Sequence, residues 1–149
     1  MIYVGIDPGK KGAVAYMMET TGGNFVTNAV PMEQALFTLK ALASTGKPIR
    51  ACIEQVHAMP KQGVTSTFSF GEGFGWLKGV MDALGISYQE VPPQKWKREF
   101  GLNSDKQTSI QVCKRLFPDA DLRPSAKCRV DNDGMAEALL MAEYARRKL

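Results

Sequence analysis

The sequence predicts an α/β fold: a mixed five-stranded sheet, three antiparallel strands and then two parallel ones, with helices on both faces. Three apolar segments joined by short turns open the chain, which is the pattern of antiparallel hairpins. A helical segment then separates the third strand from a fourth, and such a crossover lets the fourth strand lie parallel to the first. Further helical segments surround a fifth strand, so both faces of the sheet can be covered.

The first half of the chain is expected to begin with strands at residues 2–7, 12–18 and 24–30. Glycine-containing turns join them, because Pro and Gly favour the dihedral angles of tight turns. The spacing of Leu36, Leu39 and Ala43 gives an apolar stripe, which predicts a helix over 32–43. An apolar run over 49–56 then predicts the fourth strand.

The second half is expected to be mainly helical, with one further strand at 87–91 that Pro92-Pro93 closes. Helices are expected at 64–84, 94–100, 104–116 and 133–147. In the first of these, Gly71, Gly75 and Gly79 recur every four residues. Because each glycine weakens an isolated helix, this stripe indicates close packing, either on the sheet or on a second subunit.

Length and composition fit a single domain over residues 1–149. Hydrophobic residues make up 44% and charged residues 23% of the chain, which is unlike a disordered or membrane protein. No apolar run approaches the ~20 residues of a membrane span, so we expect no membrane partner and a cytoplasmic location. The cysteines lack the spacing of a zinc site, and we expect them to be reduced.

Basic residues give the chain a net charge of +4 and concentrate in residues 95–129. The concentrated residues are Lys95, Lys97, Arg98, Lys106, Lys114, Arg115, Arg123, Lys127 and Arg129. Such a segment is a candidate surface for a polyanion, nucleic acid above all. Ordinary solvated helix faces would give the same pattern.

Carboxylates are expected to gather where two strands end side by side. Asp7 closes the first strand and Glu54 lies near the end of the fourth, and parallel pairing brings both to one edge of the sheet. Near the start of the last helix lie Asp131, Asp133 and Glu137, the last of which interrupts an apolar stretch. Carboxylates in a basic protein fit Mg²⁺, and two such ions would serve phosphodiester hydrolysis by holding both the attacking and the leaving oxygen.

Simpler explanations exist for some of these residues. Asp7-Pro8-Gly9 is ordinary turn chemistry, and an Asp such as Asp133 is favoured by the dipole at a helix start. Lys106 either neutralises the charge of a reacting phosphate or is a surface residue in the first turn of a helix.

Four sequence blocks follow one another along nearly the whole chain. They are Ile6-Asp7-Pro8-Gly9, Ile53-Glu54-Gln55-Val56, Val91-Pro92-Pro93-Gln94-Lys95-Trp96-Lys97 with Asp105-Lys106, and Asp133-Gly134-Met135-Ala136-Glu137-Ala138-Leu139-Leu140. In this order and at these separations they resemble the RuvC family of Holliday-junction resolvases, in the compact form that phages encode. The resemblance implies an RNase H-like fold, a homodimer, two Mg²⁺ ions per subunit with Mn²⁺ as a substitute, and paired nicks in branched DNA inside a bacterial or phage-infected cell.

The resemblance also implies which residues act. Asp7 matches the first carboxylate of the family, Glu54 the second, and Glu137 one of the C-terminal pair. The residue three before Glu137 is Gly134, where better-known bacterial members have an acid or a histidine. We therefore expect Asp133 as the substitute, with Asp131 in reserve, and Lys106 as a further catalytic residue.

The bacterial form of the family has an aromatic side chain after the second carboxylate that pries at the junction centre, and this chain has His57 and then Met59. Either side chain can take over that role, since inserted side chains distort DNA, or the segment is a plain surface loop. The expected DNA-binding residues are His57, Met59, Lys61, Lys95, Lys97, Arg98, Lys106, Arg123, Lys127 and Arg129.

Three other functions remain open at this point. Another RNase H-like nuclease, acting on branched DNA or RNA–DNA hybrids, would use the same metal chemistry. An actin-like or sugar-kinase ATPase also begins with a strand, an Asp and a glycine turn, but it encloses nucleotide between two copies of the fold, and this length holds one. A nucleic-acid-binding module that lost its chemistry would lack the carboxylates.

Overall fold

The five strands form one mixed sheet in the computed structural model, which describes residues 1–149. The strands are β1 (Ile2–Asp7), β2 (Ala13–Glu19), β3 (Phe25–Pro31), β4 (Ile49–Glu54) and β5 (Ser87–Val91), in the spatial order β3-β2-β1-β4-β5. β1, β2 and β3 pair antiparallel, whereas β4 is parallel to β1 and β5 is parallel to β4. The predicted mixed sheet is confirmed, although β4 ends at Glu54 rather than at residue 56.

The helices are α1 (Ala35–Ser44), α2 (Val64–Ala83), α3 (Pro93–Glu99), α4 (Lys106–Leu116) and α5 (Asp133–Lys148). A 3-10 turn, Met32–Gln34, precedes α1, so the helix expected from residue 32 starts with a tighter turn. The segment between α4 and α5 has no regular structure, but Leu122 within it is fully buried and its carbonyl accepts a hydrogen bond from the Asn132 amide at 2.7 Å. That anchor holds the segment in front of α5.

Alternate residues of β1 pack on opposite faces of the sheet. Ile2, Val4 and Ile6 join the hydrophobic core that α1 and α2 cover. Gly5 faces α5, and a Cβ added there would lie 2.4 Å from the Ala142 backbone nitrogen. Because Gly5 has no side chain, the backbone of α5 packs directly on β1, and this close approach brings the first turn of α5 to the end of β1.

The glycine stripe of α2 faces away from the sheet. The buried residues of α2 are Phe74, Leu77 and Met81, and a Cβ added at Gly71 or Gly75 would meet nothing within 4 Å. The first of the two expected explanations, close packing on the sheet, is therefore wrong, because the large apolar residues on the other side of the helix make that contact.

None of the helices combines the length and the apolar composition that crossing a membrane requires. The three cysteines are free thiols, as expected from their spacing. Burial raises the pKa of Cys52 and of Cys113 to about 12 in each case, so neither is a reactive thiolate near neutral pH.

Candidate active site

Asp7 and Glu54 end neighbouring parallel strands on the same face of the sheet. The register pairs Gly5 with Cys52, and each acid lies two residues beyond its paired residue. Because side chains alternate between the faces of a strand, Asp7 and Glu54 lie on the face that Gly5 and Cys52 occupy, which α5 covers. The structure thus brings the two acids together, as expected from parallel pairing.

The first turn of α5 completes the site. The Asn132 side chain caps the helix by accepting a hydrogen bond from the Met135 amide at 2.9 Å. A Cβ added to Gly134 would lie 2.6 Å from the Lys11 carbonyl oxygen and 3.1 Å from Asp7 Oδ2. No side chain fits at position 134, so the acid that the family pattern calls for there is sterically excluded in this chain.

A cleft of about 340 Å³ lies between the end of β1, the first turn of α5 and the start of α4. It is lined by Asp7, Gly9, Lys11, Gly12, Lys97, Asn103, Ser104, Asp105, Lys106, Asn132, Asp133 and Glu137. Asp131 is not part of this lining, because its carboxylate pairs with the Lys114 ammonium at 2.5 Å. Of the two acids before Glu137, Asp133 therefore faces the cleft and Asp131 does not.

Two of the four carboxylates are held by buried donors. Glu54 is not part of the cleft lining, and its Oε2 accepts a hydrogen bond from the Trp96 indole at 2.8 Å. Glu137 Oε1 accepts a hydrogen bond from the Ser109 hydroxyl at 3.1 Å and pairs with the Lys97 ammonium at 3.5 Å. The adjacent α3 residues Trp96 and Lys97 thus contact two different acids: Trp96 contacts Glu54, and Lys97 contacts Glu137.

The other two carboxylates have no buried hydrogen-bond donor. Asp133 Oδ2 pairs with the Lys106 ammonium at 3.2 Å, and the Lys106 side chain is 76% exposed. The Asp7 carboxylate forms no ion pair and accepts no hydrogen bond, unlike those of Glu54, Glu137 and Asp133. It is the one acid of the group whose charge has no direct partner in the protein.

The electrostatics of the site show a shortage of positive charge. Burial, followed by the negative charges of Glu54, Glu137 and Asp133, raises the pKa of Asp7 to about 7. Burial, with a contribution from Glu137, also raises the pKa of Glu54, although the hydrogen bond from Trp96 opposes this. The lysines that line the cleft, Lys11, Lys97 and Lys106, therefore do not offset the repulsion that these carboxylates exert on Asp7.

This donor set fits a hard divalent cation. No three carboxylates are arranged closely enough to form a finished metal site. However, carboxylate oxygens are the ligands that Mg²⁺ prefers, and Asp7 is an unpartnered carboxylate whose ionised form is destabilised by its neighbours. A cation bound there would remove that repulsion.

Three contacts in the site were not identified from the sequence. Lys97 was expected to bind DNA, yet its ammonium lies inside the cleft beside Glu137. The donors Trp96 and Ser109 are buried and carry no pattern that marks them as site residues. Only the position of Trp96 next to Lys97, in a block that resembles the family, could have drawn attention to it.

The other expected DNA-binding residues of the basic segment lie outside the lining of the cleft. Lys95, Arg98, Lys127 and Arg129 are exposed, and Arg98 lines a second depression that shares Lys97, Asn103 and Ser104 with the cleft. Arg123 differs, because it makes two hydrogen bonds of 2.9 Å to the Asp121 side chain. Its charge is thus partly neutralised by its own neighbour.

The loop after β4 is exposed at His57, Met59 and Lys61. Met59 and Gln62 are linked by two hydrogen bonds of 3.1 Å, one between backbone groups and one from the Met59 amide to the Gln62 side chain. Lys61 has a φ of 66°, which the tight turn requires. The Met59 side chain is 59% exposed at this turn, so it is available to a partner.

Solved structures show what the fold is similar to. Thermus thermophilus RuvC matches with a TM-score of 0.61 and 16% sequence identity, over 99% of this chain and 96% of that one. T. thermophilus RuvC in complex with Holliday junction substrate matches with a TM-score of 0.61 and 14% identity, over 99% and 97% of the two chains. No protein-family model matches, and no curated protein does so. The similarity confirms the RuvC-type, RNase H-like fold expected from the sequence blocks.

Proposed function

We propose that this protein is a metal-dependent endonuclease that resolves four-way DNA junctions. The observation that carries the proposal is the convergence of Asp7, Glu54, Asp133 and Glu137 at one end of a RuvC-type fold. The raised pKa of Asp7, about 7, supports it, because strongly perturbed carboxylates in a cleft are frequent at functional sites. The junction itself is suggested by the similar structure, which is a complex of RuvC with Holliday junction substrate.

The four carboxylates are the proposed ligands of Mg²⁺, with Mn²⁺ as a substitute and two ions per subunit. Such ions lower the pKa of the attacking water and stabilise the charge on the leaving oxygen of a phosphodiester. Asp7 has no competing partner, so it is the ligand we expect to be indispensable. Glu54, Asp133 and Glu137 already have donors, which fix their orientation around it.

Lysine side chains complete the proposed chemistry. Lys106 is the first residue of α4 and its exposed ammonium lies at the rim of the cleft. We assign it to the scissile phosphate, where a cation stabilises the charge that develops in the transition state. Lys97 is less exposed than Lys106. Its ion pair with Glu137 neutralises part of the negative charge of the site.

The exposed basic residues are the proposed binding surface for the phosphates of the DNA backbone. Lys95 and Arg98 lie on α3, while Lys127 and Arg129 lie on the segment before α5. Contacts of this kind bind phosphates without reading sequence. In the loop after β4, Met59 or His57 is the proposed side chain that enters the junction centre, because both are exposed beside the end of β4.

A homodimer is the proposed assembly, since paired cuts across a junction need two active sites. The outward face of α2 carries the small residues Gly71 and Gly75 together with exposed Val64 and Phe68. Phe68 is 73% exposed and Val64 is 87% exposed. Small residues let two helices approach closely and the apolar side chains would be buried by a second copy, so we assign the interface to this face.

Junction cleavage tests the proposed activity. Purified protein is incubated with a labelled synthetic four-way junction and Mg²⁺, and we expect symmetric nicks. Asp7→Asn should bind the junction but leave it uncut, whereas Asp119→Asn, at an exposed acid that is not part of the cleft lining, should cut like the unchanged protein. Equal cleavage by Asp7→Asn would refute the role of Asp7. Parallel reactions on a flap, an RNA–DNA hybrid and plain duplex separate a junction resolvase from another RNase H-like nuclease.

Sedimentation equilibrium tests the proposed dimer. Phe68→Glu on α2 should convert a dimer to a monomer because it places a charge in the interface. Phe37→Glu is the matched control, since Phe37 is 79% exposed on α1 and lies outside the proposed face. A monomeric unchanged protein, or a dimer that survives Phe68→Glu, would contradict the assignment.

A further inference from the structure

The indole of Trp96 is a buried hydrogen-bond donor aimed at a carboxylate of the site. Trp96 is fully buried in the core shared by α3, α4 and α5, and its Nε1 donates to Glu54 Oε2 at 2.8 Å. A buried indole N–H requires an acceptor. Here the acceptor is the single carboxylate that ends β4.

The contact constrains Glu54 more than it constrains Trp96. The indole is enclosed on all sides, so packing alone fixes its orientation. Glu54 is only partly buried, and its side chain has several rotatable bonds at the end of a strand. Because the hydrogen bond occupies Oε2, Oε1 is the oxygen left free to face the other acids.

Ser109 makes an equivalent contact to Glu137. Its side chain is 2% exposed, and its hydroxyl donates to Glu137 Oε1 at 3.1 Å from α4. Two carboxylates from different elements, β4 and α5, are thus each held by one neutral donor in the core. Asp7 and Asp133 have no such buried donor.

We propose that Trp96 and Ser109 are positioning residues, each of which holds one oxygen of a carboxylate so that the other oxygen is directed to the bound cation. This inference rests on the proposed function, because it assumes that Glu54 and Glu137 bind metal. Partners that orient ligands in this way typically contribute 10–100-fold to metal affinity. Deleting the indole N–H should therefore weaken metal binding without changing the acids themselves.

Direct titration with Mn²⁺, followed by the electron paramagnetic resonance signal of the free ion, measures this effect without any cleavage assay. We expect Trp96→Phe to raise the dissociation constant about tenfold or more. Trp76→Phe is the matched control, because Trp76 is 46% exposed on α2 and contacts none of the acids. Ser109→Ala should raise the dissociation constant in the same direction.

A shape-matched replacement keeps the test decisive if Trp96→Phe lowers stability. In the Trp76→Phe background, Trp96 is the single tryptophan, and biosynthetic replacement by benzothienylalanine removes the N–H while keeping the two-ring shape. We expect an unchanged melting temperature of the metal-free protein and weaker Mn²⁺ binding. Unchanged Mn²⁺ affinity in this protein would overturn the role of Trp96.

The controls separate this inference from the proposed function. If the unchanged protein binds Mn²⁺ and Asp7→Asn abolishes binding, but the benzothienylalanine protein binds normally, only the positioning role fails. If the unchanged protein binds no Mn²⁺, both fail. Weakened binding in the benzothienylalanine protein together with normal binding in Trp76→Phe supports the positioning role.

Discussion

Replacing Asp7 with Asn is expected to make the metal-free protein more stable at pH 8, although it removes a proposed catalytic residue. Burial and the neighbouring Glu54, Glu137 and Asp133 raise the pKa of Asp7 from its ordinary 3.8 to about 7. Because the folded state binds the proton more tightly than the unfolded state, folding stability falls as the pH rises from about 4 to about 7. Above pH 7 Asp7 is ionised in the folded state, and the loss of folding stability that its burial causes is complete.

The size of the effect follows from the two pKa values. The pKa of Asp7 rises from 3.8 to about 7, and each pKa unit corresponds to about 1.36 kcal/mol. Ionised Asp7 therefore lowers the free energy of unfolding by about 4 kcal/mol. This value is an upper limit, because the side chains can relax away from one another. For a chain of this length, about 2–4 °C of melting temperature corresponds to 1 kcal/mol. The Asn variant should therefore melt up to about 8–16 °C higher at pH 8.

Thermal unfolding in EDTA, followed by circular dichroism at pH 4, 6 and 8, measures this difference. The melting temperatures of the unchanged protein and of Asp7→Asn should nearly coincide at pH 4 and diverge as the pH rises. Mg²⁺ should then raise the melting temperature of the unchanged protein and leave that of Asp7→Asn almost unaffected. A variant that melts below the unchanged protein at pH 8, or a difference that does not depend on pH, would refute the electrostatic account of the site.

Three further results are expected. Lys106→Met should lower the junction cleavage rate by about 10²-fold in single-turnover assays while junction affinity changes little, and a loss confined to affinity would contradict a transition-state role. Gly134→Ala should lower the free energy of unfolding in urea by about 1–3 kcal/mol, because the added Cβ would lie 2.6 Å from a backbone oxygen. Gly73→Ala, which meets nothing within 4 Å, should instead raise it by about 1 kcal/mol; equal effects would argue against the close approach. Junction affinity should fall steeply with salt, and removing the charges of Lys127 and Arg129 should reduce the slope of log K against log salt by about 2. An unchanged slope would remove both from the DNA surface.

The convergence of Asp7 and Glu54 could be predicted because it depends on local information. Strand periodicity places each acid at a strand end, and the crossover between β3 and β4 makes the pairing parallel. The role of Glu137 as a candidate site residue could also be predicted, because a charged residue within an otherwise apolar stretch of a helix is unusual unless it has a partner or a ligand. These features depend on the periodicity of apolar residues in each strand or helix and on the order of the elements along the chain, and both can be determined from the sequence.

The contacts of Trp96, Lys97 and Ser109 could not be predicted because they depend on how α3 and α4 are rotated about their axes. That rotation is set by packing against α5, and the resulting hydrogen bonds join residues far apart in the chain. Gly5 was a missed signal, since a glycine inside a strand often marks a close backbone approach. The outward orientation of Gly75 could likewise have been inferred from the large apolar residues on the opposite side of α2.

The central claim is that these distant acids form one metal site, and the position of Mn²⁺ in a crystal tests it most directly. Crystals soaked in Mn²⁺ and measured near the manganese absorption edge should show an anomalous peak beside the Asp7 carboxylate, within coordination distance of Glu54 or Glu137. The same soak of Asp7→Asn crystals should show a weaker peak or none. A well-ordered cleft without Mn²⁺ in the unchanged protein, or Mn²⁺ bound only elsewhere on the surface, would contradict the account.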